Sequence, residues 1–99
     1  AALENVVYLE LCCRGYQVYI GKIGDAEIDF VAERRNEKLY VQVTQQISSE
    51  KTEKREYERL LEIRDNYPKY VLRTDEFASG NYKGIKTMHV ADFLLSEDF

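Results

Sequence analysis

The chain is poor in residues that punctuate, staple or tag a polypeptide. One proline and five glycines in 99 residues exclude collagen-like and low-complexity architectures. A 44% hydrophobic and 32% charged composition excludes disorder. No apolar run approaches the roughly 18–20 residues that a membrane helix needs, so no membrane partner is expected. The two cysteines, Cys12 and Cys13, are sequence neighbours. On a helix they point about 100° apart and are poorly placed to bridge. With His89 the only histidine, a zinc site is not expected. The cysteines read as small apolar residues of a reduced, cytoplasmic protein. No basic stretch followed by an apolar one marks a secretory signal. The sole methionine is Met88, so the chain reads as a domain excised from a longer protein. It lacks the G-x-x-x-x-G-K-[ST] phosphate loop and is not expected to bind ATP that way. It also lacks a basic excess. Fourteen basic against eighteen acidic residues leave a net charge of −4, which argues against strong sequence-independent binding to nucleic acid.

What is present is enough for one core. A chain of this length buries about 65% of its unfolded surface, and residues 1–99 read as a single domain without repeat or linker. The apolar positions Leu3, Val6, Val7, Leu9, Leu11, Cys12 and Cys13 predict a largely buried helix over 2–14, stopped by Gly15. Strands are expected at 17–23, 26–33 and 38–45, the first two joined by Gly24-Asp25 and the next two through Arg34-Arg35-Asn36-Glu37. Ser48-Ser49-Glu50 looks like a helix N-cap. The helix it opens runs to about Asp65, with Tyr57, Leu60, Leu61 and Ile63 as its apolar stripe and Glu50–Lys54 and Lys54–Glu58 as i,i+4 pairs on its wet side. Asn66-Tyr67-Pro68 breaks it. A strand at 69–73, a loop over 74–84, a strand at 84–90 and a closing helical turn at 91–95 complete a mixed α/β order with a crossover helix leading to a parallel strand. His89 reads as a structural side chain. The basic residues Lys51, Lys54, Arg55, Arg59 and Arg64 are interleaved with glutamates and read as a solvated helix face.

Strand alternation then selects a constellation. The two turns predict Lys22 opposite Glu27, Ile20 opposite Asp29, Arg34 opposite Glu37, Asp29 opposite Gln42 and Glu27 opposite Thr44. One face of the meander would carry Lys22, Glu27, Thr44, Asp29 and Gln42. The other would carry Ile28, Phe30, Ala32, Val41 and Val43 as core. Two carboxylates, an amide oxygen and a lysine on one patch are the hard donors and the charge stabiliser that Mg²⁺- or Mn²⁺-assisted phosphodiester hydrolysis uses. The bland readings are a cross-strand ion pair for Lys22 and Glu27, a backbone partner for Asp29, and a dipole-favoured helix start for Glu4.

The string Gly15-Tyr16, Gly21-Lys22, Glu27-Ile28-Asp29-Phe30-Val31-Ala32 and Tyr40-Val41-Gln42-Val43 resembles the C-terminal domain of unknown function found in prokaryotic AAA-type (P-loop) ATPases. The resemblance continues through Glu53, Arg55-Glu56, Leu60, Ile63, Asp65, Tyr67-Pro68-Lys69-Tyr70-Val71-Leu72 and Asp92-Phe93-Leu94-Leu95. That domain is similar to the PD-(D/E)XK nuclease-like superfamily. The resemblance implies a restriction-endonuclease-like αβββαβ core with a mixed sheet flanked by helices, plus an extra C-terminal strand and short helix. It also implies that Glu4 is the helix acid, Asp29 the metal-binding acid and Gln42 the third ligand, with Glu27 beside them for Mg²⁺ or Mn²⁺. The superfamily's lysine position falls on Thr44, which cannot stabilise developing negative charge as an ammonium does. Lys22 on the neighbouring strand is the candidate substitute. The expectation is therefore an accessory, catalytically inactive domain following an upstream P-loop ATPase domain of the same polypeptide and docking DNA or a partner protein. The alternatives are a divergent Mg²⁺-dependent DNA nuclease and a purely structural or oligomerisation module.

Overall fold

A run of leucine, valine and alanine without proline or glycine starts the chain as α1, Ala2–Cys13, with Glu4 complementing the dipole in the first turn. It stops in a Schellman turn. Tyr16 N–H donates to Leu11 O at 3.1 Å and Gly15 N–H to Cys12 O at 3.0 Å, while Gly15 takes φ +89°, a conformation glycine adopts without strain. The computed structural model describes residues 2–24, 26–44, 50–74 and 80–96. The predicted N-cap at 48–49 lies outside the described residues, as does Asp25 of the first turn.

Three strands follow as an antiparallel meander: β1 (Gln17–Ile23), β2 (Ala26–Arg34) and β3 (Glu37–Thr44). The helix α2 (Glu50–Leu61) then crosses over to β4 (Lys69–Arg73), which lies parallel to β3. The short strand β5 (Gly80–Tyr82) pairs antiparallel with β6 (Ile85–His89), itself parallel to β4, and α3 (Val90–Leu95) closes the chain. Among the described residues the result is an α/β fold with three helices on one six-stranded mixed sheet of order β1-β2-β3-β4-β6-β5. Three expectations about the elements change. The segment predicted as a loop over 74–84 contains β5, and α2 ends at Leu61 rather than Asp65. The helix α1, expected to be largely buried, leaves Val6, Leu9, Cys12 and Cys13 exposed because only the side carrying Val7 and Leu11 meets the sheet. Among the described residues no helix is long and apolar enough to cross a membrane.

The sheet is covered on both sides. Toward α1 and α3 it presents Ala32, Leu39, Val41, Val43, Tyr70 and Leu72, packed on Val7, Leu11, Val90 and Phe93. Toward α2 it presents Ile28, Val31, Tyr40, Val71 and Ile85, packed on Tyr57 and Leu60. Phe93, Leu11, Leu60 and Leu72 are fully buried, each side chain contributing about 1.5–3 kcal/mol relative to exposure. Ile28 therefore sits on the face opposite the one expected. A β-bulge explains it: Gly21 still pairs with Ile28, but Tyr19 pairs with Val31, so Asp29 and Phe30 together oppose Ile20. Gly21 is where the strands close in, since a Cβ there would stand 2.5 Å from Val31 Cγ2.

The ends of α1 and α3 are tied together. Arg14 Nη2 donates to Phe93 O at 3.0 Å, and its guanidinium lies 4.9 Å from the Phe93 ring centre. His89 caps α3, its Nδ1 accepting the Ala91 N–H at 3.0 Å while Nε2 lies 3.1 Å from Thr74 O. It is structural as expected, with partners that its sequence neighbours did not reveal.

Candidate functional site

The bulge decides what the polar residues of the meander can do. Lys22 and Glu27 pair across β1 and β2 as expected, and both are exposed. Because Ile28 faces α2, alternation turns Glu27, and its partner Lys22, to the α1 side of the sheet. Val43 faces α1, so alternation turns Gln42 and Thr44 to the α2 side, where both are buried. The single patch expected from an unbroken register, with Lys22, Glu27, Thr44, Asp29 and Gln42 on one face, is thus split in two. One extra residue in β2 is the reason.

Asp29 stands at the split, half-buried. Its Oδ2 accepts the Val43 N–H at 2.9 Å, and its own N–H donates to Gln42 Oε1 at 3.2 Å. The two side chains thereby replace ladder bonds that the bulge interrupts, which keeps half-buried backbone donors satisfied. Glu4 is exposed on α1 and lines a cleft with Tyr8, Val18, Ile20 and Phe30 on the α1 side; the Tyr8 and Phe30 rings stand 6.0 Å apart there.

Mg²⁺ or Mn²⁺ would need several of these oxygens to converge. Gln42 Oε1 and Asp29 Oδ2 are directed at backbone N–H groups, and Glu27 leaves the sheet on the side away from Gln42. Among the described residues no group of three or more His, Cys, Asp or Glu is placed to hold a metal ion. Glu27 therefore does not converge with Asp29 and Gln42, and no catalytic step is derived through a divalent cation. Cys12 and Cys13 are free and exposed.

Two polar groupings were not anticipated. On the α2 side, the ends of the parallel strands hold Gln42, Thr44, Arg73 and Thr87, all buried. Arg73 is the register partner of Thr44, and the Tyr57 hydroxyl of α2 is hydrogen-bonded to the Thr87 hydroxyl. Arg73 closes the apolar run Lys69–Arg73 and looks in sequence like an ordinary charged strand end. The second grouping lies at the opposite end of β3. Tyr40 Oη donates to Asp65 Oδ2 at 2.5 Å, Lys69 Nζ donates to Asp65 Oδ1 at 3.0 Å, and the Tyr67 N–H closes an Asx turn on Oδ1 at 3.0 Å. Burial pushes the Asp65 carboxyl up. The bonds from Tyr40, Lys69 and Tyr67, with the Lys69 charge, outweigh it and hold the carboxyl below its usual range. Burial raises the Tyr40 hydroxyl, and the bond to Asp65 adds to that. This grouping fastens the α2–β4 turn onto β3. Its sequence signal is the Asp65–Lys69 spacing flanked by Tyr67-Pro68.

No family model matches the chain. It is similar to an uncharacterized protein of Haemophilus influenzae, with 43% identity over 93 residues that make up 94% of this chain and 22% of that protein. The chain spans about a fifth of the length of the curated relative it matches.

Proposed function

We propose that this chain is an accessory module of a longer, ATPase-bearing polypeptide, with a restriction-endonuclease-like core that has lost catalysis and works by docking. The order helix, three strands, helix, strand supports that core, with β5, β6 and α3 as additions. The resemblance of Glu27-Ile28-Asp29-Phe30-Val31-Ala32 and Tyr40-Val41-Gln42-Val43 to the C-terminal domain of AAA-type ATPases supports the setting. The observation that carries the loss of catalysis is the use of Asp29 Oδ2 and Gln42 Oε1 to bond backbone N–H groups of the β2–β3 junction. Thr44 in the lysine position supports it further. A net charge of −4 favours a protein partner over a nucleic-acid backbone. The free thiols of Cys12 and Cys13 suit a reducing, cytoplasmic setting.

Calorimetric titration with Mn²⁺ or Mg²⁺ tests the reading, beside Asp29→Asn, which keeps an oxygen for the Val43 N–H and removes the charge. The accessory reading expects no saturable binding at millimolar metal in either protein. Saturable binding in the parent that Asp29→Asn abolishes, together with Mg²⁺-dependent DNA cleavage that the same variant loses, would overturn it in favour of a Mg²⁺-dependent nuclease. One observation favours that second reading: Arg73, paired in register with Thr44 and buried, brings a cation to the strand beside the missing lysine.

A further inference from the structure

An open strand edge presents a row of backbone N–H and C=O groups that only another extended chain matches group for group. The sheet has two such edges. At one, β5 is three residues long, and short edge strands resist pairing. At the other, β1 is seven residues long and has a neighbour on one side only, β2, among the described residues. The middle of β1 is apolar and open: Ile20 is 67% and Tyr19 45% exposed. Lys22, exposed on the α1 side of the same strand, is the kind of residue that wards off a partner at an edge. An acid reaching the α1 side of the edge would cancel that effect. The chain supplies one in Glu4, which is exposed and lines a cleft with Val18 and Ile20.

We propose that the open edge of β1 is the seat of a second copy of this chain, the two β1 strands pairing antiparallel about a two-fold axis at Ile20. The inference goes beyond the accessory reading and does not depend on it. Ile20 is the centre of Gln17–Ile23, so this register alone engages every residue of the strand. It sets Ile20 against Ile20, Tyr19 against Gly21 and Val18 against Lys22 of the second copy. A two-fold axis perpendicular to the sheet keeps the α1 sides of both copies together, so Val18, Ile20 and Lys22 meet there. The exposed, β-branched Ile20 is then covered by its own equivalent. Tyr19 keeps its bond to Glu33 at 2.6 Å, because the glycine opposite brings no side chain to displace it. Lys22 of the second copy arrives opposite Val18, beside Glu4, and the symmetry makes that exchange twice. Moving the axis to Tyr19 or Gly21 leaves strand ends unmatched and takes Lys22 away from Val18. An unrelated extended segment would satisfy the backbone but has no reason to carry a lysine at that one position. Each copy has a net charge of −4, yet repulsion between exposed charges is largely screened beyond about 8 Å at physiological ionic strength. At the seam itself opposite signs meet.

Disulfide trapping reads this register directly. It is done in the full polypeptide that carries this chain, with Cys12→Ser and Cys13→Ser to remove the exposed thiols. Opposed residues of antiparallel strands have Cα atoms about 4.5–5.5 Å apart, a separation that a disulfide spans. Ile20→Cys should therefore form a covalent dimer in oxidised glutathione at least about tenfold faster than Leu95→Cys, since pairing raises the local thiol concentration and collision does not. Leu95 is the control because it is 82% exposed and lies on α3, away from β1. Val18→Cys and Lys22→Cys should each dimerise slowly alone and quickly when mixed. Glu4→Lys should slow trapping through Ile20→Cys, and adding Lys22→Glu should restore it. Hydrogen exchange over β3 in the same samples establishes that the variants stay folded. Ile20→Cys no faster than Leu95→Cys overturns the proposal, and so does a mixture no faster than its components. Exchange protection of β1 without self-trapping overturns it too, since it reports a different extended partner. None of these results bears on the metal titration, so the accessory reading stands or falls separately.

Discussion

Two helices of twelve residues each cover the two sides of the sheet, and they differ in the half that faces away from it. The helix α2 buries Tyr57 and Leu60 and turns Arg55 and Glu58 to solvent. The helix α1 buries Val7 and Leu11 and turns Val6, Leu9, Cys12 and Cys13 outward. The outward side chains just named are charged on one helix and apolar or thiol on the other. The inner halves are alike, so the difference lies in the surface that each helix leaves to solvent rather than in how the core is held.

The comparison breaks first if the inner halves are not equivalent. Phe93→Ala on the α1 side is expected to cost about 3–5 kcal/mol and Leu60→Ala on the α2 side about 2–5 kcal/mol, since each empties a fully buried site. Urea midpoints at constant m-value check this. A loss under about 1 kcal/mol on either side would mean that one core is poorly packed.

Gly21→Ala comes next. The new methyl would meet Val31 Cγ2 at 2.5 Å and Ile28 Cβ at 3.3 Å, and overpacking of this kind costs about 1–3 kcal/mol. A neutral result would show that β1 and β2 do not approach as described at the bulge.

Asp65→Asn sharpens the contrast between the two ends of β3. Removing the charge weakens the bonds from Tyr40 and Lys69, at a cost of about 1–3 kcal/mol near neutral pH. The Asp65 carboxyl has a lowered pKa in the fold. Its stabilisation is therefore present above the unfolded value of about 3.9 and lost as pH falls through the folded value. The gap between parent and variant should hold at pH 5–7 and close in more acidic solution, and urea titrations at several pH values read it. A gap that grew on acidification would contradict the hydrogen bonding given to Asp65.

The smallest effect is on the outer half. Leu9→Lys is expected to change fold stability by no more than about 0.5 kcal/mol, whereas the same change at Leu60 should prevent folding. A large loss at Leu9 would mean that the outer side of α1 belongs to the core.

Much of this fold was legible because its hairpins are written in turn residues. Gly24 and the Arg34–Glu37 link gave Lys22 opposite Glu27 and Arg34 opposite Glu37, and both pairings stand. The element order through β4 was legible for the same reason. The error entered inside β2, where Ala26–Arg34 contains no glycine or proline to mark an extra residue. The only sign lay across the pair, in Gly21, since glycine inside a strand often marks a bulge or a close approach. That one residue moved Ile28 to the other core and divided the polar patch. β5 went unseen because three residues are too few for periodicity to register. The outer side of α1 is where the sequence misleads: seven apolar or thiol positions predict a largely buried helix, and nothing in their spacing marks Val6, Leu9, Cys12 and Cys13 as exposed. Arg73 was hidden because a charged strand end is ordinary, and only the register with Thr44 gives it meaning.

The strand order carries a consequence in time. The meander β1-β2-β3 is closed by short turns, and hairpins of this kind form in about 1–10 μs. β4 can find β3 only after the α2 crossover has folded back, and β6 can find β4 only later, so these parallel pairings meet their loop-closure cost before any reward. The sheet should therefore grow from one edge toward the other. Chevron analysis distinguishes the stages: Val41→Ala should chiefly slow folding, and Ile85→Val should chiefly speed unfolding.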